Sequence, residues 1–173
     1  MRVIRLATGG DAAAIAAIYG QVVRETTISF EFVPPDPAEM ASRMRAVTAT
    51  YPWLVAERAG EVEGYAYASR HSDRDGYASS VNVSAYVREG ARGQGVGRAL
   101  YSALFRELER DEFYHRAYAG IALPNDASVA LHASFGFQLV GVYREVGFKF
   151  GRWIDVAWWE RHLGGRLHGD ARI

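Results

Sequence analysis

Val3, Ile4 and Leu6, an apolar cluster interrupted by Arg5, read as a short opening strand. Thr8 with Asp11 has the spacing of a capping box, Asp standing in for Glu or Gln, and behind it Ile15, Ile18, Tyr19 and Val22 recur at helical spacing. A loop rich in aromatic and β-branched residues (Thr26, Thr27, Ile28, Phe30, Phe32) is closed by Pro34 and Pro35. Asp36-Pro37 then opens a second helix, with Asp36 at the cap and Glu39 as its partner. Trp53 to Arg58 and Val62 to Ser69 read as a hairpin joined by Ala59-Gly60, and Tyr77 to Val87 alternates as a further strand. Past a glycine-rich loop from Gly90 to Gly97, Leu100, Ala103, Leu104 and Leu108 share one helical face. Tyr118 to Leu123 reads as a strand, Asp126 to Phe135 as a helix ended by Gly136, and Leu139 to Tyr143 and Phe148 to Trp159 as the last two strands. The order is about seven strands and four helices, which predicts an α/β fold with a mixed sheet covered by helices on both faces. Residues 1–163 form one expected domain, and residues 164–173 a C-terminal tail.

Composition narrows the partners. The 173 residues are 49% hydrophobic and 23% charged, the balance of a globular domain that buries a core. No apolar run reaches the ~18 residues that would suggest a membrane span, and the N-terminus lacks the pattern of a signal peptide. Twenty basic and twenty acidic residues give a net charge of zero, which supplies no bulk field for nucleic acid or a membrane. Cysteine is absent, so thiolate chemistry is excluded, and no His or carboxylate set has metal-ligand spacing. A cytoplasmic protein without metal is the expectation.

The chemistry is concentrated where Tyr86-Val87 runs into Arg92-Gly93-Gln94-Gly95-Val96-Gly97 and then a helix. Glycines let the backbone approach a ligand, and amides at a helix start favour a phosphate, with Arg92 and Arg98 bracketing the loop. The dinucleotide fingerprint would need a third glycine where Arg98 stands, and the P-loop would need Lys then Ser or Thr where Arg98 and Ala99 stand. A kinase-type loop would lead into a strand. The bland alternative is a turn with no ligand.

Arg-Gly-x-Gly-x-Gly after a strand resembles the acyl-CoA pyrophosphate motif of the GNAT superfamily. More closely, the chain resembles the phosphinothricin and methionine sulfoximine N-acetyltransferase family. The resemblance is carried by YPWLVAE (Tyr51 to Glu57), AYV (Ala85 to Val87), the glycine loop, ALPNDASVALH (Ala122 to His132), Gly136-Phe137, GFKFGRWIDV (Gly147 to Val156) and Trp158-Trp159. It implies a GNAT fold with a mostly antiparallel seven-stranded sheet, acetyl-CoA as co-substrate, a small-molecule amine as acceptor, direct attack without an acyl-enzyme, and a homodimer. It also implies that the backbone of Ala85, Tyr86 and Val87 holds the pantetheine arm, with the Val87 amide aimed at the thioester oxygen. The amides of Gly93, Gln94, Gly95, Val96, Gly97 and Arg98 would hold the pyrophosphate. Asn125 would contact the pantetheine arm and cap a helix, and His132 would stand where many relatives carry a proton-donating tyrosine.

One position departs from the pattern. Asn82 occupies the place of a glutamate proposed as general base in the family, and an amide cannot take a proton near neutral pH. Deprotonation then runs through a water held by Asn82, or through another group, with Glu31, Asp75 and Tyr77 as candidates. The expected acceptor contacts are Arg74, Asp75, Gly76, Tyr77 and Phe32, joined by Phe30 and Lys149; SDRDG is also ordinary turn chemistry. Two other readings stay open at this level: a protein or peptide amine acetyltransferase, and an acyl-CoA-binding module of low activity.

Overall fold

The computed structural model describes residues 1–165. In chain order the elements are β1 (Arg2–Leu6), α1 (Ala12–Glu25), α2 (Pro37–Thr48), β2 (Trp53–Arg58), β3 (Glu61–Arg70), β4 (Ser80–Val87), α3 (Val96–Arg110), β5 (Arg116–Ala122), α4 (Asp126–Ser134), β6 (Gln138–Lys149) and β7 (Arg152–His162). The seven strands form one sheet in the order β1-β2-β3-β4-β5-β7-β6. Every neighbouring pair is antiparallel except β4 and β5. From residue 166 on, the expected tail lies outside the described residues.

Strand alternation sorts the core into two layers. Leu54, Ala56, Ala66, Ala68, Val81 and Val83 face α3, where Leu100, Leu104 and Leu108 are fully buried as the helical spacing predicts. Each buried leucine contributes about 1.5–3 kcal/mol by removing apolar surface from water. The intervening residues Trp53, Val55 and Tyr65 face Ile15, Ile18, Met40 and Met44 of α1 and α2. Trp158 and Trp159 divide as adjacent strand residues must: Trp159 packs against the α3 layer, and Trp158 covers Gly120 on the other face.

Both expected helix starts form, with one change of partner. The Asp36 carboxylate accepts from the Glu39 amide at 2.8 Å, but the Glu39 side chain turns to Arg43 instead of closing a capping box. Asp11 accepts from the Thr8 amide at 2.7 Å and takes both Nη atoms of Arg5 at 2.7 and 2.8 Å. Arg5 holds the buried Asp11 carboxyl at about 2, below its ordinary 3.8. A carboxyl depressed on folding stabilises the native state above its unfolded pKa and loses that contribution as pH falls through the folded value. About 2 kcal/mol is therefore expected to disappear between about pH 4 and pH 2. Urea midpoints across that window test this: Asp11→Asn flattens the acid limb, and parallel curves for the two proteins contradict it.

The strands depart from the sequence expectation most clearly at β4 and at the β6–β7 pair. Residues Asp75–Tyr77 form a 3₁₀ turn, and β4 begins only at Ser80. Phe150 and Gly151, at φ 51° and 73°, make the turn between β6 and β7, so the strand expected from Phe148 to Trp159 breaks there. Within β6 the register to β7 shifts between Tyr143 and Gly147, and Asp155 fastens that bulge by accepting from the Glu145 amide at 2.8 Å and from Arg144 at 2.9 Å.

Candidate active site

The parallel pairing of β4 with β5 ends at Asn82 opposite Tyr118, and the strands part beyond it. Arg88 donates its amide to Glu63 on β3 at 2.9 Å. Antiparallel alternation therefore turns the N–H groups of Ala85 and Val87 the other way, toward the opening. The cleft between the strands is lined by Val83 to Tyr86, by Ala119 to Ala122, and by Tyr101, Asn125, Ser128 and His132 from the helices.

At the mouth of this cleft lies the glycine loop. Gly93 and Gly95 adopt φ of 73° and 76°, a left-handed conformation that glycine enters without the Cβ penalty. The first amide of α3 bonded to a backbone carbonyl is that of Ala99, which donates to Gly95 at 3.0 Å. Among the described residues, the amides of residues 93–98 find no backbone acceptor. The loop is braced from behind, since Arg2 donates to the Gln94 carbonyl at 3.0 Å and the Gln94 side chain to the Gly90 carbonyl at 2.9 Å. Fixed, unpartnered amides at a helix N-terminus form an anion cradle. Arg92 and Arg98 stand exposed beside it, with Arg92 Nε 3.4 Å from the Val87 carbonyl. Gly97 lets α3 approach closely, because a Cβ there would lie 3.3 Å from Leu131.

Asn125 caps α4, its side chain accepting from the Ser128 amide at 3.2 Å, and also lines the cleft. His132 is buried, and both ring nitrogens are engaged: Nδ1 lies 2.7 Å from the Ser128 carbonyl and Nε2 2.9 Å from the Tyr101 hydroxyl. The carbonyl fixes the proton on Nδ1, so Nε2 accepts from Tyr101. Burial lowers the His132 pKa against the opposing effect of the Ser128 carbonyl and keeps the ring neutral. The pair thus ties α3 to α4 in the wall of the cleft.

On the face toward α1 and α2, a cavity of about 390 Å³ is lined by Tyr19, Trp53, Tyr65, Tyr67, Glu31, Arg43 and Ser69, among others. The Trp53 indole N–H is buried, out of reach of solvent, without a hydrogen-bond partner among the described residues. Arg43 donates to both oxygens of Glu31, at 2.8 and 3.1 Å, and Tyr19 donates to the same carboxylate at 2.8 Å. The Arg43 guanidinium, more than any other group, holds Glu31 below the usual carboxylate range. A carboxylate so stabilised is a weak base.

The remaining expected acceptor residues are placed differently. Arg74, Asp75, Gly76 and Tyr77 form the exposed turn, with Asp75 3.5 Å from Arg70. Phe32 is 74% exposed, and Phe30 packs against Gly147. Lys149 does not enter the cavity; it is buried and donates to the carbonyls of Val23 and Ser29 at 2.7 and 2.6 Å, pinning the loop after α1. Asn82 has a partner that sequence reading missed. His71 Nδ1 lies 2.9 Å from Asn82 Oδ1, and the ring stacks on Tyr118 with centroids 4.5 Å apart. Among the described residues no group of three or more metal-ligating side chains gathers.

The family profile described as Acetyltransferase (GNAT) domain matches residues 4–158. The chain belongs to the GNAT acetyltransferase family. It is 43% identical over 167 residues to a phosphinothricin N-acetyltransferase of Streptomyces coelicolor, covering 88% of this chain and 91% of the relative. It is 38% identical over 162 residues to the L-methionine sulfoximine/L-methionine sulfone acetyltransferase of Pseudomonas aeruginosa, covering 92% and 94%. Among solved structures, a GNAT superfamily phosphinothricin acetyltransferase of Sinorhizobium meliloti in complex with acetyl-CoA aligns with a TM-score of 0.90 and 39% identity, over 94% of this chain and 89% of that one. The GNAT sheet of this chain, mixed and seven-stranded with helices on both faces, is the fold expected from its motifs.

Proposed function

We propose that this GNAT protein transfers the acetyl group of acetyl-CoA to the primary amine of a small amino-acid-like acceptor, of the phosphinothricin or methionine sulfoximine type. The observation that carries the reading is the free edge of β4 running directly into six unpartnered amides, residues 93–98. Those amides suit a pyrophosphate, and the outward N–H groups of Ala85 and Val87 suit an extended pantetheine arm that adds as a strand. When bound, the thioester supplies an activated acetyl carbonyl. The Val87 amide then steadies negative charge on its oxygen, a contribution that is usually large in acyl transfer. Asn125 contacts the arm, Tyr86 lends its backbone, and His132 and Tyr101 shape the wall.

The aromatic cavity beside Ser69 suits the acceptor, since its volume lies within the range of small-molecule sites and it is lined mainly by aromatic and other apolar side chains with a few polar groups. Arg74, Asp75, Gly76, Tyr77 and Phe32 form the outer approach to it. A thiol-release assay with a panel of amino acids, sulfoximines and peptide amines tests the assignment. Turnover on small amines is expected; turnover on peptides alone, or acetyl-CoA binding without turnover on any amine, sinks it.

We further propose a cytoplasmic homodimer. No described helix is long and apolar enough to cross a membrane. The sheet ends on β6, whose Leu139, Val140, Tyr143, Val146 and Phe148 are exposed, and an apolar edge of this kind is ordinarily covered. Light scattering is expected to give twice the 19.1 kDa chain mass; a monomer at assay concentration removes this reading.

A further inference from the structure

Asn82 leaves this GNAT chain without the carboxylate expected to take the amine proton, and the other candidates fit poorly. Glu31 is held as a stable carboxylate by Arg43, and Asp75 and Tyr77 lie on the exposed turn. The Asn82 amide is already engaged. Its Nδ2 donates to the Arg70 carbonyl at 3.4 Å, which turns Oδ1 toward His71 at 2.9 Å. An amide oxygen only accepts, so the imidazole proton sits on Nδ1 and the lone pair on Nε2. Among the described residues nothing occupies Nε2.

The position is as informative as the tautomer. Asn82 and Tyr118 are the last paired residues before β4 and β5 separate, and the His71 ring lies against both. It sits on the sheet face opposite α3, because Val81 and Val83, which alternate with Asn82, are the residues that pack toward that helix. Ser69, the β3 partner of Asn82, lines the aromatic cavity. Tyr77 and Trp158 complete an aromatic wall, with centroids 5.9 and 6.5 Å from the ring. The imidazole therefore stands where β4 and β5 part, against residues that adjoin the aromatic cavity through Ser69 and the cleft through Val83 and Ala119.

We infer that His71 is the general base of this enzyme and that Asn82 is its positioning residue, a histidine–asparagine pair replacing the single carboxylate. The inference rests on the acetyltransferase reading above. As the amine nitrogen bonds to the acetyl carbon and the carbon–sulfur bond breaks, the proton shed by nitrogen passes to His71 Nε2. The electron pair leaves on the CoA sulfur as thiolate. The Asn82 carbonyl keeps Nδ1 as the donor and stabilises the imidazolium that results.

The test uses the best acceptor from the panel, with kcat, KM and acetyl-CoA affinity by calorimetry measured for each variant. His71→Phe, which keeps a ring on Tyr118, is expected to lower kcat by about 10²-fold or more while acetyl-CoA affinity is unchanged. Added imidazole should restore part of the kcat of His71→Ala. Asn82→Leu should lower kcat about tenfold at an unchanged KM, and Asn82→Asp, which can still accept from Nδ1, should recover it. A kcat for His71→Phe within threefold of wild type overturns the inference, and so does a loss in His71→Ala that imidazole does not rescue. Wild-type protein that neither binds acetyl-CoA nor turns over overturns the broader reading instead, so the two failures are distinguishable.

Discussion

Alanine at both Gly93 and Gly95 is expected to weaken acetyl-CoA binding by roughly 30- to 700-fold. Both glycines adopt left-handed φ, 73° and 76°, where an L side chain costs about 1–2 kcal/mol. A Cβ added at either position meets no protein atom within 4 Å, so the substitutions create no clash in the folded chain. The strained loop can relax when empty, and it must return to the left-handed geometry before its amides converge again. The penalty then falls on binding more than on folding. Two residues contribute about 2–4 kcal/mol together, and each 1.4 kcal/mol is tenfold in affinity. Calorimetry with acetyl-CoA and with free CoA should show the same loss, because both carry the pyrophosphate. An affinity within threefold of wild type would mean that the amides of residues 93–98 do not hold that group.

That loop was legible in the sequence because its chemistry is local: three glycines, a strand before and an amphipathic helix after require no tertiary information. The helix starts at Asp11 and Asp36 were legible for the same reason. His71 was not, because a single histidine in a polar turn has no periodic signal. Its meaning comes from a contact with Asn82 eleven residues away, made when β3 and β4 pair. Lys149 was misjudged for a related reason: its ammonium reaches carbonyls more than a hundred residues earlier, so a cation that suggested an acceptor carboxylate serves to pin a loop. The break between β6 and β7 was hidden by Phe150, an aromatic residue that reads as strand yet takes φ of 51°. The parting of β4 from β5 is likewise a property of the assembled sheet. It leaves no mark on either strand alone.

Valine at Gly64 is expected to remove about 3 kcal/mol of stability and to weaken acetyl-CoA binding in whatever protein remains folded. Gly64 lies on β3 directly opposite Val87, next to the register shift between β2 and β3. A Cβ at this position would come within 2.7 Å of the Tyr86 carbonyl oxygen, 3.1 Å of Val96 Cγ1 and 3.3 Å of Val87 Cα. Two of those neighbours are backbone, so the strain cannot be relieved by a rotamer change. β4 must move, and the part that moves carries the outward amide of Val87 and leads into the glycine loop. One substitution therefore couples folding to the site. Gly9→Ala is the matched control, since a Cβ there meets nothing within 4 Å. Urea denaturation should show the midpoint of Gly64→Val well below those of wild type and Gly9→Ala, with calorimetry below the transition showing weaker acetyl-CoA binding. An unchanged midpoint would mean that β3 and β4 can separate at Val87 without loss, and the close backbone approach would then have no part in shaping the cleft.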